Sequence, residues 1–110
     1  MFKKLLKDAE EIAEFIIEFS SEPVDEELIK EYFWGCQGIL KQISTNDLRQ
    51  EDSHHHILNE QKLKEYRLLP IATMPPLIVE NNYIKDGNHR FIVAKQKEQE
   101  KIYIYDIVPL

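Results

Sequence analysis

Cysteine is almost missing from this chain. Cys36 is the only thiol among 110 residues, so no intrachain disulfide can form, and a reducing, cytoplasmic setting is expected. Glycine is nearly as scarce, at three. Gly35 and Gly38 are expected to mark the end of a helix, and Gly87 to turn a strand into a helix. Positive charge is in deficit, with 14 Lys and Arg against 20 Asp and Glu and a net charge of −6. That balance argues against a surface that grips duplex nucleic acid throughout, because such binding rests on cations neutralising phosphates. Only a local patch of Lys85, Arg90, Lys95 and Lys97 is left to be considered. No apolar window approaches the length needed to span a bilayer. Lys3, Lys4 and Lys7 are followed by Asp8, Glu10 and Glu11 where a secretory leader would need apolar residues, so neither a leader nor a membrane partner is expected.

What is present suits a folded protein. An apolar content of 43% with 31% charge predicts one domain over residues 1–110, with a single core that needs no metal or disulfide staple. Residues 2–19 read as a helix, because Leu5, Ala9, Ile12, Ile16 and Phe19 recur at spacings of three and four. Acids fill its polar face. That disfavours an anionic membrane and favours a core or dimer helix. Ser20-Ser21-Glu22-Pro23 breaks the pattern, and a second helix follows from Val24 or Asp25 to about Gly35.

Residues 38–45 are ambiguous by periodicity, and a strand is expected there on the strength of Ile39, Ile43 and Thr45. A turn at Ser44–Asp47 and the acidic stretch around Glu51 and Asp52 come next. His54, His55 and His56 suggest a metal site, but adjacent side chains diverge, and a solvated stretch is the expectation. Residues 57–68 read as a helix. Pro75-Pro76 then leads into a strand at Leu77–Glu80, an Asn81-Asn82 turn and a second strand ending at Asp86. A helix from Asn88 to about Gln99 and a last strand over 102–108 complete the chain.

The stretch Asp86-Gly87-Asn88-His89-Arg90 carries the most chemistry. A glycine opening a helix straight from a strand aims the amides of residues 88–90 outward, where the helix dipole favours an anion. Asn88, His89 and Arg90 add an amide, a ring donor and a permanent cation. The plainer reading is an ordinary Asp-Gly turn with a packed His89 and a surface Arg90. Asp86 is open between two roles, one as helix cap and one as ligand to a metal or acceptor hydroxyl.

The order Pro75-Pro76, apolar strand, turn, Asp86-Gly87-Asn88-His89-Arg90 and helix with Ala94 resembles the ParB/sulfiredoxin-like superfamily, over roughly the last two thirds of the chain. The resemblance implies an α+β fold. It would be a small mixed sheet with packed helices over 39–110, preceded by a two-helix extension over 1–36. It also implies nucleotide phosphate (ATP, ADP or CTP, with Mg²⁺) held by Gly87, Asn88, His89 and Arg90. Asp86, His89 and either Glu51 or Asp52 would be the catalytic candidates, and Asp86 the metal ligand. Members include CTP-binding partition proteins, ATP-using sulfinic acid reductases, ADP-dependent serine kinases and proteins described as nucleases. The reductases carry a nucleophilic Cys directly before the His, where this chain has Asn88. The partition proteins carry a second phosphate box and a helix-turn-helix domain, for which the chain has no room before Leu110. Three readings are therefore expected to compete. One is a small phosphotransferase or nucleotide hydrolase with a small-molecule or protein acceptor. Another is a non-catalytic regulator of phage or plasmid type acting through a homodimer of its N-terminal helices, and the third is a DNA-processing factor.

Overall fold

The computed structural model describes residues 2–20, 23–51, 60–70 and 73–110. Its frame is a long antiparallel pair, β2 (Cys36–Ser44) and β6 (Lys101–Pro109), registered from Cys36 opposite Pro109 to Ser44 opposite Lys101. β1 (Leu5–Leu6) joins the outer side of β2 antiparallel. On the other side, β4 (Leu77–Glu80) runs parallel to β6, β5 (Tyr83–Asp86) returns antiparallel to β4, and β3 (Arg49–Gln50) adds a parallel edge. The six-stranded order is β1-β2-β6-β4-β5-β3, a mixed sheet.

Strand alternation sends successive side chains to opposite faces, and helices cover both. On one face, α1 (Ala9–Phe19) sets Ile12, Phe15 and Ile16 against Ile78, Tyr105 and Ile107, with Phe33 beside them. On the other, α4 (Asn88–Gln96) sets Phe91 and Ala94 against Leu77, Val79, Ile84, Ile102 and Ile104. Behind α4, α3 (Glu60–Leu68) contributes Leu63 to a small cluster with Met74 and Val93. The remaining helix, α2 (Glu26–Tyr32), buries no side chain fully and leans on α1 and the β5 end of the sheet. The architecture is the α+β class expected.

The local chemistry explains most of the element boundaries. Asn81 and Asn82 both adopt positive φ, 52° and 69°, which asparagine tolerates and a two-residue hairpin with native twist requires. Asp25 caps α2 by accepting from the amides of Glu27 and Leu28. Several boundaries differ from expectation, with α2 ending at Tyr32 rather than near Gly35 and α4 at Gln96 rather than near Gln99. The first helix begins at Ala9 rather than at residue 2, because the Asp8 carboxylate accepts from the Glu11 amide and fixes the start there. The preceding Leu5 and Leu6 are then released to pair with Ile39 and Gly38. The expected N-terminal extension thus contributes a strand to the sheet, and Gly38 lies inside β2 rather than at a helix end.

Candidate functional site

β5 ends at Asp86 and α4 starts at Asn88, so a single residue must reverse the backbone from extended to helical. Gly87 does this in the left-handed region, φ 103° and ψ 25°. A Cβ there would stand 2.6 Å from Leu77 Cδ2 and 2.8 Å from Arg90 Nη2. Both the backbone angle and the packing therefore require glycine. The first bond of α4 runs from the Phe91 amide to the Gly87 carbonyl, and the amides of residues 88–90 precede it.

Arg90 departs from expectation. The residue is 1% exposed and its guanidinium points inward, where Nη1 donates to the carbonyls of Pro75 and Pro76 at 3.2 and 3.1 Å and Nη2 donates to Asp86 Oδ2 at 3.0 Å. A buried cation must be paired and hydrogen-bonded, and here both conditions are met internally. The guanidinium expected to help hold phosphate is instead a clamp. It ties the Pro75-Pro76 segment ahead of β4 to the first turn of α4.

The same pair redefines Asp86. Its carboxylate is neither a free ligand nor a cap on α4, because it is engaged by Arg90. Burial pushes the Asp86 carboxyl above the usual carboxylate range, while Arg90, the Gly87 amide and His89 pull it back only partly. Among the described residues, no group of three or more His, Cys, Asp or Glu is placed to hold a metal ion. Of the candidate carboxylates among the described residues, Asp86 is paired to Arg90 and Glu51 to Lys85.

Glu51, at the end of β3, is bonded to Lys85, and Lys85 also faces Glu80 at 3.9 Å. Lys85 Nζ sits 5.5 Å from the centroid of the Tyr32 ring, and the Tyr32 hydroxyl donates to Glu80 Oε1 at 3.2 Å. Burial alone would lower the Lys85 pKa, but the bonds to Glu51 and Tyr32 outweigh it and hold the ammonium above its ordinary value. This network links α2 to the β4–β5 hairpin. A second link joins β3 to α4, where Gln50 Nε2 donates at 3.0 Å to Oδ1 of the buried Asn88.

The structure thus brings together Glu51, Asp86, Gly87, Asn88, His89 and Arg90, with His89 half-exposed on the first turn of α4. Asp52 and the His54-His55-His56 run lie outside the described residues. The four cations left for a local basic patch are engaged in different ways. Arg90 is buried, Lys95 donates to Asn46 Oδ1 and Lys97 to the Leu69 carbonyl. Tyr32 and Glu80 escaped the sequence reading. Their signal was weak, an apolar side of α2 too short to be buried and a cross-strand acid near Lys85.

Beside the Asp86–Gly87 turn lies a hollow of about 330 Å³. Ile16, Val24, Leu28, Ile29, Tyr32 and Phe33 form its apolar wall, and Glu51, Lys85 and Asp86 form its polar floor. Cys36 is half-buried elsewhere, and burial, with Glu80 nearby, pushes its thiol pKa up, which leaves it a poor nucleophile. No described helix is long and apolar enough to cross a membrane.

No family model matches the chain, and no curated protein matches it. Among solved structures it is similar to the C2221 form of a Pnob8-like ParB-N domain, with a TM-score of 0.54 and 20% identity. That likeness covers 66% of this chain but 30% of the other, so the chain spans less than a third of the protein it matches. At such low identity the likeness speaks to architecture alone. Over about two thirds of its length the chain has a fold similar to that of a ParB-N domain.

Proposed function

We propose that this chain binds nucleotide phosphate at the start of α4. The reading is carried by Gly87, whose left-handed turn opens a nine-residue helix directly from β5, with His89 half-exposed on the first turn of a ParB-N-like fold. The amides of that turn and the dipole behind them favour an anion, and His89 adds a ring donor. Arg90 acts indirectly, by holding the turn through Asp86 and the two proline carbonyls. ATP, ADP and CTP are the candidate ligands. The setting proposed is cytoplasmic, in keeping with a single, half-buried thiol.

Binding without turnover is the form of this proposal that the geometry favours. Of the described catalytic candidates, the two carboxylates, Glu51 and Asp86, are held by cations, which leaves His89 alone as a base. Such a domain would act as a regulator, with its N-terminal helices available for a partner or a second copy. Burial of Arg90 and a net charge of −6 weigh against a nuclease or DNA-processing role.

One observation favours a second reading, a small phosphotransferase or hydrolase. Asp86 borders the hollow and has a carboxyl whose affinity for a proton is raised, as suits a group that accepts a proton from an acceptor hydroxyl. A thermal-shift panel of ATP, ADP and CTP, with and without Mg²⁺, tests the binding proposal. At a hundred times its dissociation constant a ligand adds about 2.7 kcal/mol of stability. Stabilisation is expected in the wild type and its loss in His89→Glu, which puts a carboxylate where phosphate would sit. A flat panel for the wild type would remove the proposal. Release of inorganic phosphate or a phosphorylated product would favour turnover over plain binding.

A further inference from the structure

Acidity in this chain is concentrated in one segment. From Asp8 to Tyr32 the sequence has ten Asp and Glu and a single cation, Lys30, whereas the rest has thirteen Lys and Arg against ten acids. Both α1 and α2 come from that segment, and α2 buries no side chain fully. Val24, Leu28 and Tyr32 follow one another at intervals of four, are 40, 62 and 56% exposed, and wall the hollow beside the Asp86–Gly87 turn. Helix geometry sets Glu27 and Glu31 in a second row next to them, and both are exposed. The floor of the hollow differs. Its charges are already matched, Lys85 with Glu51 and Asp86 with Arg90, so it suits an apolar side chain better than an ion.

We infer that this face of α2 docks a basic amphipathic helix of another protein, whose apolar side chains enter the hollow while Lys or Arg beside them meet Glu27 and Glu31. Charge complementarity selects that occupant. A second copy of the chain would set acidic rows of the same segment against each other, and an anionic lipid surface would meet the same repulsion. A basic helix meets neither. Rows at intervals of four advance about 6 Å per step on any α-helix, so an apolar row and a basic row on the partner match the two rows of α2. The surplus of acids on α1 and α2 also draws a basic partner to this side of the molecule before contact. Docking of this kind needs no nucleotide at the start of α4.

Fluorescence anisotropy on the full chain tests this with dye-labelled synthetic helical peptides. One carries Leu and Lys at helical period, a second has Glu in place of each Lys, and a third has Ala in place of each Leu. The Leu/Lys peptide is expected to bind about tenfold or more tightly than either of the others. Leu28→Ser in the chain should weaken it about tenfold, and so should Glu27→Lys combined with Glu31→Lys. All three positions are exposed enough to accept the change. Leu68→Ser and Glu65→Lys on α3, across the sheet, are the controls and should leave binding unchanged. Equal binding of the Leu/Lys and Ala/Lys peptides, or binding that Leu28→Ser does not move, would mean attraction to charge alone and overturns the groove. Equal binding of the Leu/Glu peptide overturns the charge match, and no binding of the Leu/Lys peptide overturns the whole. A dimer of the chain seen by sedimentation, and lost in Leu28→Ser, would make the face a self-interface and overturns it as well. Nucleotide binding is read separately by the thermal-shift panel, so its failure and this one are distinct.

Discussion

Asp86 and Arg90 face each other across Gly87, carboxylate Oδ2 to guanidinium Nη2 at 3.0 Å, with the arginine buried beneath the first turn of α4. The pair holds the Asp-Gly-Asn-His-Arg turn in shape. Removing one partner strands the other, and broken buried pairs typically cost about 3–5 kcal/mol. Asp86 keeps 19% of its side chain exposed, so the lower end applies to it. Chemical denaturation of Asp86→Ala is expected to show a loss of about 3 kcal/mol. Arg90→Ala, which also orphans the Pro75 and Pro76 carbonyls, should lose at least as much. The double mutant should be less destabilised than the sum of the single changes. Strict additivity would mean that the pair does not hold the turn.

Gly87→Ala and Gly35→Ala form a matched test, because both glycines adopt positive φ, 103° and 76°. A Cβ at Gly35 meets nothing within 4 Å, so only backbone strain of about 1–2 kcal/mol is expected there. At Gly87 the Cβ would also press on Leu77 and Arg90, and the loss should exceed that at Gly35 by about 1 kcal/mol or more. Equal losses would show that Leu77 and Arg90 move aside freely.

The pH dependence of stability follows from the sign of the Asp86 shift. Burial raises its pKa in the folded chain, so the fold holds that proton more tightly than the unfolded chain does. The contribution is full below the ordinary carboxylate range and is lost as pH rises through the raised value. Asp86→Asn has no such group. Relative to this variant, the wild type should lose stability from acid to neutral pH, read by urea midpoints across that range. A constant gap between the two would contradict the raised value.

Much of this fold can be read from the residues, and the gaps have physical causes. The hairpin was legible because Asn81-Asn82 meets a backbone demand few residues accept, and Gly87 was legible for the same reason. The start of α1 was misread because Leu5 and Leu6 stay in phase with Ala9 and Ile12. The better signal was Asp8 with Glu11 three residues on, a capping pattern that periodicity overrode. Asp8→Ala should therefore lower stability by about 1 kcal/mol, seen as a shift in the denaturation midpoint. The direction of Arg90 was harder to foresee. Its spacing of four from Asp86 hinted at a pair, but spacing does not say whether a guanidinium turns inward or toward a ligand. The hollow was out of reach altogether, since its wall and floor come from three separate segments of the chain, represented by Leu28, Glu51 and Asp86.

Nitrogen-15 NMR of the amides of Asn88, His89 and Arg90 during titration with ATP, ADP or CTP bears most directly on the phosphate site. Saturable shifts centred on these three amides, and absent in His89→Glu, are the predicted result. Saturable binding that leaves them unmoved, or no binding by any of the three nucleotides, would contradict a phosphate site at the start of α4.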